Sequence, residues 1–541
     1  MTTMTGGEAI VSGLLVHGVD TVFGLPGAQV YGLFDAFHQA QLKVIGARHE
    51  QACGYMAFGY ARASGRPGVF SVVPGPGVLN AGAALLTAFG CNEPVLCLTG
   101  QVPTDYLGKG RGHLHEMPDQ LATLRTFVKW ADRIEYPDAA PTLVARAFQE
   151  MLSGRRGPAA LEMPWDVFTQ RAETAAAKPF APFPAPMPDP DRITKAAALI
   201  ASTKAPMIFV GAGAIDAREE ILELAEMIDA PVVAFRSGRG IVSNAHELGL
   251  TMAAAYRLWP QTDLMIGIGS RMELPTTFRW PFRPDGLKSI RIDIDPAEMR
   301  RVTVDVGIVS DAKAGTAALV SAVSKAGHKK TAGRRATIRE ATVMTQQEIQ
   351  KVQPQMAYLN VLREVLPHDA IVTDELSQVG FASWYGFPVY EPRTFITSGY
   401  QGTLGAGFPT ALGAKVACPD KPVVAITGDG GFMFAVQELA TAVQYNIGVV
   451  TLVFNNNAYG NVRRDQRERF DGRVVASDLV NPDFVKLAES FGVAASRVTA
   501  PDQFRPALEK ALEHGGPYLI DIEVPKDSEV SPWAFIHPAK P

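Results

Sequence analysis

The sequence predicts an α/β protein of three doubly wound domains with mainly parallel sheets, and three observations carry that prediction. A chain of 541 residues is too long for a single core, since domains mostly hold roughly 100–200 residues. Short runs of β-branched and apolar residues alternate with longer amphipathic stretches, the rhythm of parallel strands joined by helical crossovers. Two stretches break that rhythm, one rich in proline and one basic and small-residued, and they divide the chain into three.

The first domain is expected over residues 1–169: a helix to His17, a strand at 21–23, a helix over 30–41, then strands at 43–47, 68–73 and 94–99. Residues 170–191 contain KPFAPFPAPMPDPD, too much proline for helix or sheet, and read as an extended linker. The second domain, 192–325, carries strand runs at 206–210, 231–235, 264–267 and 289–294. Residues 326–355, opening on AGHKKTAGRR, read as a solvated connector. The third domain, 356–541, has strand runs at 370–373, 423–427, 449–454 and 518–524, and its tail SEVSPWAFIHPAKP is apolar enough to pack back on the body.

Composition narrows the function classes. A net charge of -4 provides no electrostatic footprint for nucleic acid or an anionic membrane. The N-terminus lacks a basic n-region, and no run approaches the ~18 apolar residues of a membrane span, so neither signal peptide nor membrane segment is expected. Four cysteines (Cys53, Cys91, Cys97, Cys418) show no CxxC spacing and no disulfide framework, which fits a reducing cytoplasm.

The most informative stretch is GDGGFMFAVQELATAVQYNIGVVTLVFNNNAYG, Gly428 to Gly460. Apolar runs before and inside it read as two buried parallel strands flanking one helix, whose right-handed crossover brings both loops to the carboxyl ends of the strands. Asp429 would then face the run Asn455 to Asn457. An Asp, an Asn side chain and a backbone carbonyl are hard oxygen ligands for Mg²⁺, which commonly keeps phosphate oxygens as further ligands. Gly428, Gly430 and Gly431 would let backbone approach those phosphates. Asp-Gly and Asn-Asn are also ordinary turn formers, so either motif alone reads equally as a turn.

Together, GDG and the later NN resemble the diphosphate-binding signature of thiamine diphosphate (ThDP) enzymes. RHEQ followed by GYMAFGYAR, from Arg48, is similar to the pyrimidine-domain motif of the acetolactate synthase-like members. A glutamate in a first helical turn often serves only the macrodipole. The resemblance implies more: Glu50 would hydrogen-bond N1′ of the aminopyrimidine and favour the imino tautomer whose N4′ takes the thiazolium proton. SGYQGTLGAGFPTALGAK, from Ser398, matches a third family segment, by which the Gly402 carbonyl would accept from N4′ and Leu404 would hold the cofactor bent. TDELSQVGF, from Thr373, resembles a further diphosphate-contacting turn, matched at Glu375, Leu376, Ser377 and Gln378, and adds Ser377 and Gln378 to the cofactor site. By the same resemblance Tyr459 and Gly460 complete that site, and the metal ligands are Asp429, Asn456 and the Ala458 carbonyl.

The resemblance runs through nearly the whole chain, in the order pyrimidine-binding, middle and diphosphate-binding domain. It implies a homodimer or homotetramer with sites between chains, and a small-molecule substrate. Pro26, Gly75 and Asn80 match pocket-lining turns, although Pro74 stands where the family has serine. Where acetolactate synthases carry FQE, this chain has Leu114, His115 and Glu116, a departure that tells against acetolactate as the product and leaves the ThDP chemistry in place. His115 is suited to proton shuttling, or is a plain loop residue. His113 with His115 is too few ligands for a metal. Lys129 matches a lysine near the family's site entrance, although a surface lysine is the ordinary reading.

The GAGA turn (Gly211 to Ala214) and GSR turn (Gly269 to Arg271) could hold the FAD or ADP that relatives carry. The short 250–263 stretch disfavours FAD, and a spacer domain is the plainer expectation. The activity implied is a carboligase or decarboxylase acting on a 2-oxo acid. The alternatives are a C–C lyase of benzaldehyde lyase-like or 2-hydroxyacyl-CoA lyase-like type, the latter kept open by Arg236, Arg239 and Arg271, and a non-catalytic ThDP-binding subunit. Glu50 would be of no use to the last.

Overall fold

A computed structural model describes residues 1–277 and 279–540. The strands in chain order are β1 (Thr2–Thr5), β2 (Thr21–Gly24), β3 (Lys43–Gly46), β4 (Gly68–Val72), β5 (Val95–Gln101), β6 (Trp130–Arg133), β7 (Ala159–Pro164), β8 (Arg171–Thr174), β9 (Pro206–Val210) and β10 (Val232–Ala234). They continue as β11 (Gly249–Leu250), β12 (Leu264–Ile268), β13 (Lys288–Asp293), β14 (Val306–Val309), β15 (Ile371–Asp374), β16 (Phe395–Ile396), β17 (Val423–Gly428), β18 (Val450–Asn455), β19 (Ala494–Val498) and β20 (Tyr518–Glu523).

Three six-stranded sheets form, in the orders β3-β2-β4-β5-β7-β6, β11-β10-β9-β12-β13-β14 and β16-β15-β17-β18-β20-β19. Every pairing within them is parallel. With helices on both faces, central strands such as β4 (GVFSV) are buried along their whole length, the continuous apolar reading of a doubly covered sheet. The first and third sheets share one topology, with the chain reversing direction across the sheet between β2 and β4 and between β15 and β17. The middle sheet follows the dinucleotide-fold order, with its reversal between β9 and β12. Ligands of open α/β sheets bind at such reversal points, beyond the carboxyl ends of the strands.

The first and third domains are locked by two helices, Glu50–Ser64 and Gly407–Ala417. A Cβ on Gly59 would run into the Thr410 carbonyl, and one on Gly413 into that of Met56. The small residues after Glu50 are therefore the seam between two domains. Gly46 and Arg48 reinforce it: the Gly46 amide donates to Tyr445 Oη at 2.9 Å, and the Arg48 amide to Glu438 at 3.1 Å.

The two connectors need correction. Within 170–191, β8 pairs antiparallel with β1, so its first residues belong to the first domain, and helix Pro190–Ser202 begins inside the expected linker. Within 326–355, helix Arg334–Ile349 buries Ile338, Ala341 and Ile349. Its apolar positions are lost among Arg, Glu and Gln, so the amphipathic signal is weak. The expected single helix of the 428–460 stretch is two, Asp429–Phe432 and Glu438–Gln444. No described helix is long and apolar enough to cross a membrane, and all four cysteines are free thiols.

Candidate functional site

At the reversal point of the third sheet, β17 ends in Gly428 and β18 in Asn455. Asp429 is 2% exposed, and burial pushes its carboxyl above the ordinary range. Its Oδ2 accepts from the Asn481 side chain at 2.7 Å and from the Ala458 amide at 3.2 Å. Among the described residues no Lys or Arg pairs with it. A buried carboxylate with hydrogen bonds but no cation fits a metal site, because an uncompensated buried charge is costly.

The three asparagines divide their duties. Asn455 donates to Asp521 at 3.2 Å, and Asn457 takes up the left-handed backbone (φ 53°) that turns the chain. Asn456 donates its Nδ2 to Glu529 at 2.8 Å, which leaves Oδ1 facing inward toward the Ala458 amide at 3.1 Å. No donor among the described residues bonds the Ala458 carbonyl. Asp429 Oδ2 and Asn456 Oδ1 thus meet at the Ala458 amide, and these oxygens with the Ala458 carbonyl are donors of the kind that could hold Mg²⁺.

The glycines have steric reasons besides phosphate approach. A Cβ on Gly428 would press on Ser377 at 3.2 Å, one on Gly430 would meet the Tyr459 ring, one on Gly431 the Glu375 carboxyl, and one on Gly460 Asn456 Nδ2 at 2.7 Å. Ser377 caps helix Gln378–Gly386 through the Gly380 amide at 3.0 Å, and the buried Gln378 Oε1 has no partner among the described residues. Gly402 adopts φ 60° against Leu376, with Leu404 half-buried beside it.

Glu375, which the sequence matches to a diphosphate-contacting turn, directs its carboxyl toward the Gly402–Leu404 loop. Its Oε1 accepts from the Gly405 amide, and its other oxygen is buried without a partner. Burial raises its pKa to about 7, so it exchanges a proton near neutrality. Glu529 and Asn481 are functional neighbours that sequence reasoning missed. They come from the C-terminal tail and a loop far along the chain, so no local pattern marks them.

The second constellation lies at the reversal point of the first sheet. Glu50 opens its helix and accepts from Asn80 Nδ2 at 3.0 Å. Gly75, at φ 61°, lies against the His115 carbonyl, where a Cβ would sit at 2.6 Å. The Gly75 amide donates to Gln120 at 2.7 Å, and Gln120 donates to Gly100 at 3.0 Å. These bonds pin the loop carrying Leu114 and His115 over the ends of β4 and β5. Pro26 follows β2 at the same edge. His113 packs on Tyr106 and Trp165, and among the described residues no group of three His, Cys, Asp or Glu is arranged for a metal. Lys129 donates to the carbonyls of Glu150 and Ser153, so it caps a helix C-terminus.

In the middle domain the GAGA and GSR turns meet backbone to backbone, with the Gly213 amide on the Gly269 carbonyl at 3.1 Å. They border a cavity of about 210 Å³. Arg236 and Arg271 line it with buried nitrogens unpartnered among the described residues. Arg239 does not join them: its guanidinium donates to the Ser383 and Phe387 carbonyls and stacks on Phe395.

Topology and site together define the class: two domains of one strand order, each presenting reversal-point loops to a ligand, and between them in sequence a domain of dinucleotide-fold order. Family models agree in every part. The thiamine pyrophosphate enzyme N-terminal TPP binding domain matches residues 4–123, the central domain 193–319 and the C-terminal TPP binding domain 376–522. A probable acetolactate synthase large subunit of Methanococcus aeolicus is 34% identical over 98% of this chain and 93% of its own length. That of Methanocaldococcus jannaschii is 36% identical over 96% and 92%. A probable 2-ketoarginine decarboxylase of Pseudomonas aeruginosa is 32% identical over 96% and 94%. The chain belongs to the thiamine pyrophosphate (thiamine diphosphate) enzymes and is an acetolactate synthase-like member of them.

Proposed function

We propose that the protein is a ThDP- and Mg²⁺-dependent carboligase or decarboxylase acting on a 2-oxo acid. The observation that carries this is the buried, cation-free Asp429 grouped with Asn456 Oδ1 and the unbonded Ala458 carbonyl. Those three would hold Mg²⁺ and, through it, the diphosphate, with Ser377, Gln378, Tyr459 and Gly460 around them. Gly402, Leu404 and Glu50 would take the aminopyrimidine end. When bound, ThDP supplies the electron sink that makes loss of CO₂ from a 2-oxo acid fast. Glu50 serves by holding or releasing a proton at the pyrimidine, positioned by Asn80. Pro26, Gly75, Leu114 and His115 shape the space for the substrate, and His115 moves protons at its oxygen.

The Glu50 and Asp429 groups share no described contact within the chain. Large apolar side chains stand exposed beside both, Leu79 and Leu114 near the first, Phe434 and Val480 near the second. Apolar side chains exposed around both groups suit an interface, and we assign it to a second copy that brings the Glu50 half of one chain to the Asp429 half of the other, in a cytoplasmic homodimer or homotetramer.

The test is calorimetric titration of ThDP with Mg²⁺ or with chelator, followed by product analysis from pyruvate and 2-ketoarginine with and without an acceptor aldehyde. Wild type should bind only with Mg²⁺, and Asp429→Ala should not bind. Unchanged affinity in Asp429→Ala would remove the metal assignment, and an absence of CO₂ from any 2-oxo acid would remove the activity.

The middle-domain cleft favours a nucleotide more than its sequence did, since dinucleotide-fold order, two touching glycine turns and the free Nε and Nη1 of Arg236, which pairs with Glu273 through Nη2 at 3.3 Å, converge there. Its 210 Å³ is below the roughly 300–1,000 Å³ of sites that enclose a whole ligand, so ADP or FAD would lie partly in the open. Titration of each into wild type and Arg236→Ala checks this.

A further inference from the structure

Gln29 is fully buried in the short turn after β2, at the edge where the substrate loop closes. It was singled out by nothing in the sequence, and both ends of its amide are used. Nε2 donates to the Leu114 carbonyl at 2.7 Å, and Oε1 lies 2.8 Å from His115 Nδ1. A carbonyl oxygen only accepts, so the amide's NH₂ must face Leu114 and its oxygen must face His115. That oxygen is likewise only an acceptor, so Nδ1 must carry the hydrogen. A neutral imidazole with hydrogen on Nδ1 has its lone pair on Nε2. No group among the described residues bonds His115 Nε2, and the ring is only half-buried.

We infer that Gln29 is a positioning residue that fixes His115 as the Nδ1–H tautomer and thereby makes Nε2 the proton acceptor of the substrate pocket. The inference rests on the proposed placing of His115 against the substrate. A proton leaving a substrate hydroxyl goes to Nε2, the ring becomes the cation, and Nδ1–H stays on Gln29 Oε1. The same proton returns from Nε2 to oxygen with no change at Gln29. One acceptor therefore serves both charge states, as an oriented partner does for other catalytic histidines. The backbone supports this geometry: His115 takes φ 62°, a left-handed conformation, and its carbonyl sits against Gly75. The ring's position is thus set from both ends, by the Gly75 turn on the main chain and by Gln29 on the side chain.

The deciding measurement is magic-angle-spinning ¹⁵N NMR of the full-length protein labelled in its histidine rings, with His115 assigned from the spectrum of His115→Asn. Wild type should show Nδ1 protonated and Nε2 bare. Gln29→Met, which keeps the volume and removes both polar ends, should convert His115 to the Nε2–H form or a mixture and lower kcat by about 10²–10⁴, the range of general acid–base catalysis, with little change in KM. Gln29→Glu retains an acceptor for Nδ1–H and should restore the wild-type tautomer and much of the rate. A wild-type ring protonated on Nε2, or an unchanged ring in Gln29→Met, overturns the inference. If the tautomer follows Gln29 but His115→Asn turns over every accepted donor at the wild-type rate, the placing of His115 against the substrate is what has failed.

Discussion

Replacing Glu375 with glutamine should change how stability depends on pH. In the folded protein this carboxyl is 2% exposed and its pKa stands at about 7 against an ordinary 4.5. Below 4.5 it is protonated folded or unfolded and contributes no difference. As pH rises above 4.5 the unfolded chain releases the proton while the folded one retains it, so wild type loses stability until about pH 7 and then levels off. At 1.36 kcal/mol per unit, a shift of this size is worth about 3 kcal/mol. The amide introduced by Glu375→Gln keeps an oxygen for the Gly405 N–H and has nothing to ionise, so the variant's curve lacks that slope. For a unit of 150–250 residues the gap corresponds to roughly 6–12 °C in midpoint. Differential scanning of the cofactor-free protein between pH 4.5 and 8, wild type beside Glu375→Gln, reads it directly. A midpoint difference that stays constant over this interval would refute the reasoning.

Other consequences are as concrete. Glu50→Gln should still bind ThDP but slow hydrogen–deuterium exchange at its C2 by about 10²–10⁴, and equal exchange rates would remove the role given to Glu50. Glu529→Ala frees the Asn456 amide to rotate and should weaken Mg²⁺-dependent ThDP binding by about 10–100-fold, as loss of a ligand's orienting partner does; an unchanged metal titration would show that Asn456 needs no such support. Gly413→Ala forces a methyl into the Met56 carbonyl and should cost about 3 kcal/mol or more, read as a lower unfolding midpoint, with a wild-type midpoint counting against close contact at this seam.

The pattern of what was legible follows from where information sits in a chain. The 428–460 stretch could be read because its strands are continuous apolar runs and its candidate ligands lie at their ends. Glu50 was singled out only through the resemblance of RHEQ and GYMAFGYAR to a family motif, since a glutamate in a first helical turn is by itself ordinary. The two-residue strands β11 and β16 could not be read, having no periodicity to detect. Arg334–Ile349 was hidden as a helix because its buried positions include Arg334 and Thr345. Glu375, Asn481 and Glu529 act through partners far from them in sequence, and a buried acid looks like any surface acid until the fold closes over it. The arginines of the middle domain were grouped by composition, and only the fold separates Arg236 and Arg271, which face a cavity, from Arg239, which braces two carbonyls.

At the Gly59 and Gly413 crossing, main chain rests on main chain, and the side chains that flank it, Met56, Phe408 and Leu412 among them, are buried. A joint made that way leaves neither helix room to slide along the other without main chain meeting main chain, so the register between the first and third domains is fixed by the absence of two side chains. The C-terminal tail is fastened to this pair by more than Glu529: the Gln355 side chain donates to the Val530 carbonyl at 2.7 Å, the Val530 amide to the Gln353 carbonyl at 2.9 Å, and Ile536 is fully buried.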